Sequence, residues 1–122
     1  MTRKSNLVLV VQNLDYSGAN TGHSLTYYFL FVNSLMISLI VALNIVSSRV
    51  HTSSLIVLSP TSGAFLSRFV SIGASIRIGD VSSLLLEISD ICCVICNTIM
   101  TANSAVMSRK LHLPCIYILH EW

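Results

Sequence analysis

The stretch Ile91-Cys-Cys-Val-Ile-Cys-Asn97-Thr98 decides the fold class of this chain, and Leu113-Pro-Cys-Ile-Tyr-Ile-Leu-His120-Glu121 repeats its form. Each stretch is an uncharged, apolar run of strand length that ends in polar residues. Continuous apolar runs of this kind are typical of parallel strands, which are buried on both faces of the sheet. In open α/β sheets, ligand-binding residues lie just beyond the carboxyl ends of such strands. The two stretches therefore predict a site at one edge of a parallel sheet.

Strand-like and helix-like segments alternate on the amino-terminal side of these stretches. Gly73 is predicted to end one helix as a C-cap, and Asp80 is predicted to be the N-cap of the next. Within that next helix, the i, i+3, i+4, i+7 spacing of an amphipathic helix is found at Val81, Leu84, Leu85 and Ile88. Alternation of this kind favours right-handed βαβ crossovers. We therefore predict a single α/β domain over residues 1–122, with an open parallel sheet of about five strands and helices on both faces, in a Rossmann-like arrangement. The predicted strands are 7–12, 54–58, 75–78, 91–96 and a fifth after Pro114, and the predicted helices are 25–46, 64–72, 81–88 and 99–111.

Residues 25–46 form an uncharged stretch of 22 residues, long enough to cross the ~30 Å hydrocarbon core of a bilayer. However, Thr26, Asn33 and Asn44 fall within one sector of a helical wheel. A polar stripe on a broadly apolar helix is expected of a crossover helix that packs on the sheet. We therefore favour the packed helix over a membrane span, and a degenerate or wrongly translated stretch is a third alternative.

The composition narrows the class of protein. Apolar residues make up 53% of the chain and charged residues 10%, against about 25% charged in an ordinary soluble domain. A disordered chain is excluded, because disorder needs low hydrophobicity and high charge. The net charge is +2 and the basic residues are scattered, so we expect no nucleic-acid partner. A buried α/β core and a membrane-inserted chain remain.

The four cysteines lie in two of the predicted strands. Cys93 and Cys96 have the spacing of a metal or redox pair, but no second pair of ligands follows at zinc spacing, so we expect no metal site. On a regular strand, Cys92 and Cys96 share one face and Cys93 faces away. We expect the cysteines to pack in the core as reduced thiols, which suits a cytosolic compartment.

Four stretches, taken in order, resemble the amino-terminal domain of glycosyltransferase family 4. This family contains retaining enzymes with two Rossmann-like domains, the GT-B architecture. The stretches match the order and spacing of the family's motifs over almost the whole chain. They are Leu7-Val-Leu-Val-Val-Gln-Asn-Leu-Asp15-Tyr-Ser-Gly18-Ala19, Leu55-Ile-Val-Leu-Ser-Pro60 with Gly63 and Phe65-Leu66 after it, Asp90-Ile-Cys-Cys-Val-Ile-Cys-Asn97-Thr98, and Leu113-Pro-Cys-Ile-Tyr-Ile-Leu-His120-Glu121.

The resemblance implies roles for particular residues. Gly18 and Ala19 would form the loop that meets the donor diphosphate, with the next helix N-terminus supplying free N–H groups. His120 would be the catalytic residue, next to the sugar that is transferred. Asn97 and Thr98 would line the cleft as acceptor or loop-positioning groups, and Glu121 would line it beside His120. A nucleotide sugar would be the substrate, the acceptor is unknown, and no cofactor or metal is implied.

The family's second domain, which carries most of the nucleotide-sugar contacts, does not follow in this sequence. We therefore expect a partial glycosyltransferase domain that is inactive alone and cytoplasmic, with membrane association through residues 25–46 as the alternative. Two alternatives belong to other classes of protein. One is a small membrane protein anchored through residues 25–46, and the other is a non-catalytic module that binds a nucleotide or phosphate.

The candidate site residues also have simpler interpretations. Gly18 is compatible with an ordinary turn, and Asn97-Thr98 with a helix cap. His120 is compatible with a frayed chain end.

Overall fold

A computed structural model describes residues 5–11, 38–39, 42, 52–97 and 101–118, which contain five strands and three complete helices. The strands are all parallel and lie in the order β3-β2-β1-β4-β5. The predicted α/β class, the open five-stranded parallel sheet and the Rossmann-like arrangement are confirmed. In chain order the elements are β1 (Ser5–Val10), β2 (Thr52–Ser59), α1 (Leu66–Ser71), β3 (Ser75–Ile78), α2 (Val81–Glu87), β4 (Ile91–Asn97), α3 (Ala102–Lys110) and β5 (Cys115–Ile118).

Helices cover both faces of the sheet, as predicted. Alternate side chains of a strand point to opposite faces, so Leu9 of β1 belongs to one core cluster and Val10 to another. On the face that we call the first, Phe69 of α1 packs in the cluster that contains Leu9. On the second face, Leu85 of α2 packs in the cluster that contains Val10, and Met107 of α3 packs against it. The apolar runs of the three central strands, β1, β2 and β4, are thus covered from both sides. Most residues of β3 and β5 are exposed, so the predicted burial of the apolar run after Pro114 is wrong.

Three helical residues, Ser38, Leu39 and Ala42, are described within the uncharged stretch 25–46. Leu39 is half-buried and packs against the first-face core, whereas Ser38 and Ala42 are exposed. The Leu39 contact is the one expected of a crossover helix that packs on the sheet. The other residues of the stretch lie outside the described part of the chain. In the described part, no helix combines the length and the apolar character needed to cross a membrane.

The prediction that Cys92 and Cys96 share a face of β4 is wrong. The register of β4 against β1 skips one residue, because Asn6 pairs with Ile91 and Leu7 pairs with Cys93. Cys92 is therefore the extra residue of a bulge, which resets the alternation of side chains along the strand. As a result, Cys92 and Cys93 both pack against the first-face core, while Cys96 belongs to the second-face core.

Asn6 joins three segments at the amino edge of the sheet. Its side-chain amide Nδ2 donates a hydrogen bond to the carbonyl of Ser89 (2.7 Å), and its Oδ1 accepts one from Ser54 Oγ (2.7 Å). Its backbone N–H donates a hydrogen bond to the carbonyl of Asp90 (2.7 Å). Asp90 lies in the turn before β4 and has a positive φ of 54°. These bonds connect β1 with β2 and with the turn before β4. They stabilise the amino edge of the sheet, which is opposite to the edge where the carboxyl ends of the strands lie.

Gly73 ends α1 in the way its position in the sequence predicts. Its φ is +89°, and its N–H donates to the carbonyl of Val70 (2.9 Å). Apart from its two neighbours in the chain, no atom of the described residues lies within 4 Å of where a Cβ would stand. A side chain there is therefore disfavoured by the backbone conformation and not by a clash with those residues.

We expect Gly73→Ala to lower the free energy of unfolding by about 1 kcal/mol, because alanine avoids positive φ. Gly73→Asn should lose less, since asparagine adopts this region more readily. Urea unfolding of both variants measures the difference. Equal stability of the alanine variant and the original chain would contradict the backbone argument.

Candidate functional site

A cleft of about 390 Å³ lies at the carboxyl edge of the sheet. Its walls come from the ends of three strands and from the first turns of two helices. The residues that line it are Val10, Val11, Pro60, Gly79, Asp80, Val81, Ser82, Thr101, Asn103 and Ser104.

The strand order explains the position of the cleft. β1 and β4 are neighbours, but the chain runs from β1 towards β2 on one side and from β4 towards β5 on the other. The connections leave the sheet in opposite directions at this point, and a crevice opens between them. Val11, just after β1, and Thr101, which follows β4 and precedes α3, both line the cleft.

One wall is the turn between β3 and α2. Gly79 has a φ of +150°, a conformation restricted almost entirely to glycine, and its N–H donates to the carbonyl of Ser59 (3.1 Å). This bond holds the turn against the end of β2. The predicted N-cap position of Asp80 is confirmed, but its side chain makes no hydrogen bond to the backbone of α2. Instead, its Oδ2 accepts a hydrogen bond from Ser83 Oγ (2.7 Å).

The opposite wall is the start of α3. Thr101 and Ser104 are buried, while Asn103 between them is exposed. Within α3, Ser108 Oγ donates a hydrogen bond to the backbone carbonyl of Ser104, one turn earlier (2.8 Å). The first turn of a helix carries free N–H groups and the positive end of the helix dipole. This wall therefore presents hydrogen-bond donors, a hydroxyl group and an amide to the cleft.

Among the described residues that line the cleft, Asp80 alone carries a formal charge. The remaining polar groups are the hydroxyls of Ser82, Thr101 and Ser104 and the amide of Asn103. Such a set suits hydrogen bonding to neutral hydroxyl groups, because a carboxylate accepts and a side-chain amide both donates and accepts. Within residues 5–11, 38–39, 42, 52–97 and 101–118, no group of three or more His, Cys, Asp or Glu side chains lies close enough to hold a metal ion.

Of the residues predicted to form the site, Asn97 is described. It is the last residue of β4, it is buried, and it pairs with Ile118 of β5. It lies at the same edge of the sheet as the cleft but is not among the residues that line it.

The other predicted site residues lie outside the described part of the chain, and their convergence remains a prediction. They lie in the three segments that begin after Val11, Asn97 and Ile118. Asn97 and Ile118 are the last residues of β4 and β5, and Val11 directly follows β1. These three strands are adjacent and parallel, so all three segments leave the sheet at one edge. The residues concerned are Gly18, Ala19, Thr98, His120 and Glu121.

Sequence reasoning did not single out several of the residues that line the cleft. Gly79 and Ser82 flank Asp80, for which the sequence predicts only the role of a helix cap. Asn103 and Ser104 lie in a polar run near the start of the helix predicted over 99–111. Their place in the chain is the signal that could have identified them. Each follows closely after a predicted strand, and in an α/β fold the residues just after a strand lie at the carboxyl edge of the sheet.

The fold and the position of the cleft define the class of this protein, a Rossmann-like α/β domain with a crevice at its topological switch point. No protein-family model, curated protein or solved structure matches the chain.

Proposed function

We propose that this chain is the amino-terminal part of a family 4, GT-B glycosyltransferase, and that the cleft forms one wall of its substrate site. The observation that carries the proposal is the cleft at the switch point between β1 and β4. It lies at the edge where the segments bearing Gly18, Asn97-Thr98 and His120 leave the sheet. The order of the family-like stretches along the sequence supports the same assignment.

The chemistry of the described walls favours the hydroxyl-bearing part of a substrate. Asp80 disfavours a diphosphate close by, since two like charges 4 Å apart repel by about 1 kcal/mol in water and by more in a less polar medium. A sugar or acceptor hydroxyl, in contrast, donates to the Asp80 carboxylate and bonds with the amide of Asn103. In this proposal the donor diphosphate lies at Gly18 and Ala19, and His120 contacts the transferred sugar. Asn97, Thr98 and Glu121 complete the cleft.

The proposal assigns the complete reaction to a two-domain protein. Glycosyl transfer requires the donor and the acceptor to be held together in reacting geometry, and in a GT-B enzyme the second domain supplies the other half of the cleft. The chain by itself is therefore expected to bind ligands without transferring sugar.

Calorimetry with the full chain tests this function. We expect a nucleotide sugar to bind more tightly than the matching nucleoside diphosphate, because the sugar adds hydrogen bonds to the cleft. Asn103→Ala and His120→Ala should each weaken binding of the nucleotide sugar by about 1 kcal/mol, or roughly fivefold in Kd, the usual value of a lost hydrogen bond.

Val106→Ala serves as the matched control, because Val106 is an exposed residue on the same helix as Asn103 and does not line the cleft. The affinity of this variant for the nucleotide sugar should equal that of the original chain. Equal binding of the nucleotide sugar and the free nucleoside diphosphate would favour a non-catalytic nucleotide-binding module. An absence of binding across a panel of uridine, guanosine and adenosine diphosphate sugars would refute the glycosyltransferase proposal.

A further inference from the structure

Cys96 and Cys115 lie side by side on neighbouring strands. Their Sγ atoms are 3.8 Å apart, and all four cysteines of the chain lie in described strands as free thiols. Cys96 is buried in the second-face core, whereas Cys115 is exposed. The expectation that every cysteine packs in the core is therefore wrong for Cys115. It begins β5, which is an edge strand of the described sheet and has β4 as its one neighbour there.

The strand register puts both thiols on the same face of the sheet. Cys115 pairs with Val94, and the next residue of β4 on that face is Cys96. The two cysteines are therefore diagonal neighbours on adjacent parallel strands, and the 3.8 Å between their sulfur atoms puts the side chains in contact.

We propose that Cys96 and Cys115 form a reversible disulfide on exposure to a peroxide, and that this pair is a covalent modification site that joins β4 to β5. A disulfide requires the two sulfur atoms to close from 3.8 Å to about 2.05 Å. A diagonal pair reaches this distance only if the backbone shifts. β5 is the element that can shift, since it is a four-residue edge strand with three exposed residues.

The chemistry balances with a peroxide as the oxidant. The sulfur of Cys115 gives up its proton and attacks hydrogen peroxide, so that an S–O bond forms and the O–O bond breaks. The hydroxide that leaves takes up that proton and becomes the first water. The sulfur of Cys96 then attacks the resulting sulfenic acid, the S–S bond forms and the S–O bond breaks. The leaving oxygen departs as water with the proton of the Cys96 thiol. Two thiols and one peroxide thus give one disulfide and two waters.

The surroundings of each thiol set this order of events. Burial, with a smaller contribution from the neighbouring Cys115, raises the pKa of Cys96 to about 12. The thiolate is the reactive form, so Cys96 is a poor first nucleophile at neutral pH. Cys115 is exposed to a dissolved oxidant and reacts with it first. A bond formed with strand displacement is strained, and strained disulfides are the ones that reductants open readily.

The test compares cysteine variants of the full chain at low protein concentration. The double variant Cys92→Ser/Cys93→Ser keeps Cys96 and Cys115 and removes the two cysteines of the other face. After treatment with hydrogen peroxide, we expect a monomer that is two hydrogens lighter. Trypsin cleaves after Arg77, Arg109 and Lys110, so fragments 78–109 and 111–122 should remain linked until dithiothreitol is added.

Two single variants serve as controls on the native background. Cys115→Ser changes an exposed side chain, keeps the fold, and should lose the link. Cys96→Ser should lose it as well, and circular dichroism reports whether this buried substitution has preserved the sheet. The proposal is overturned if the double variant keeps both thiols free, if it forms only dimers between chains, or if a folded Cys96→Ser variant still links the two fragments.

Discussion

Replacement of Phe69 by alanine is expected to lower the free energy of unfolding by about 3–5 kcal/mol. Phe69 is 0% exposed and packs in the first-face core with Leu9 and Val57, so α1 contacts the sheet through it. The deleted ring loses its burial and leaves a cavity that the sheet, held in register by its neighbours, cannot close. Because small domains are stable by only about 5–15 kcal/mol, a loss of this size leaves the variant close to its unfolding transition at room temperature.

Urea unfolding followed by circular dichroism measures this loss. The control is Val70→Ala, which truncates the next residue of the same helix, because Val70 is 51% exposed. Its effect should be within about 0.5 kcal/mol, as for most surface substitutions. If Phe69→Ala and Val70→Ala unfold at the same urea concentration, α1 does not cover the first face as described.

Leu85→Ala tests the second face, with an expected loss of about 2–5 kcal/mol. Leu85 is 1% exposed and belongs to the core cluster formed by Val8, Val10 and Ile56. This substitution should also disturb the cleft, because α2 begins at Val81 in the cleft wall and is held on the sheet by Leu85. We therefore expect both a lower unfolding midpoint and weaker binding of any ligand that occupies the cleft.

Leu86→Ala is the matched control, since Leu86 follows Leu85 in the same helix and is 59% exposed. It should leave the unfolding midpoint within the error of the measurement. The paired result across Phe69 and Leu85 distinguishes a sheet covered on both faces from one covered on a single face. Destabilisation by one buried substitution and not by the other would contradict the two-sided core.

Much of the fold follows from local patterns in the sequence. Strand β3 has the predicted bounds, 75–78, and the predicted stripe of α2 faces the second core through Leu85 and Ile88. Gly73 has the positive φ expected of a residue that ends a helix. These features depend on residues close together in the chain, so periodicity and turn chemistry are enough to predict them.

Other features depend on contacts between distant segments. The bulge at Cys92 arises from the pairing of β4 with β1, about eighty residues earlier in the chain, and no pattern within β4 marks it. The exposure of Cys115 follows from the place of β5 at the edge of the sheet. Likewise, Asp80 was interpreted as a cap, and only the folded sheet brings it to the same cleft as Asn103.

By itself, the sequence determined which of the described segments are strands and which are helices, because the burial of side chains repeats with a different period in each kind of element. It also predicted which edge of the sheet carries a cleft, since the carboxyl ends of parallel strands meet there. Only the tertiary structure decided which side chains line that cleft and that Cys96 meets Cys115. Those neighbours come from different elements, and their distance is set by strand register and helix packing, which no single segment encodes.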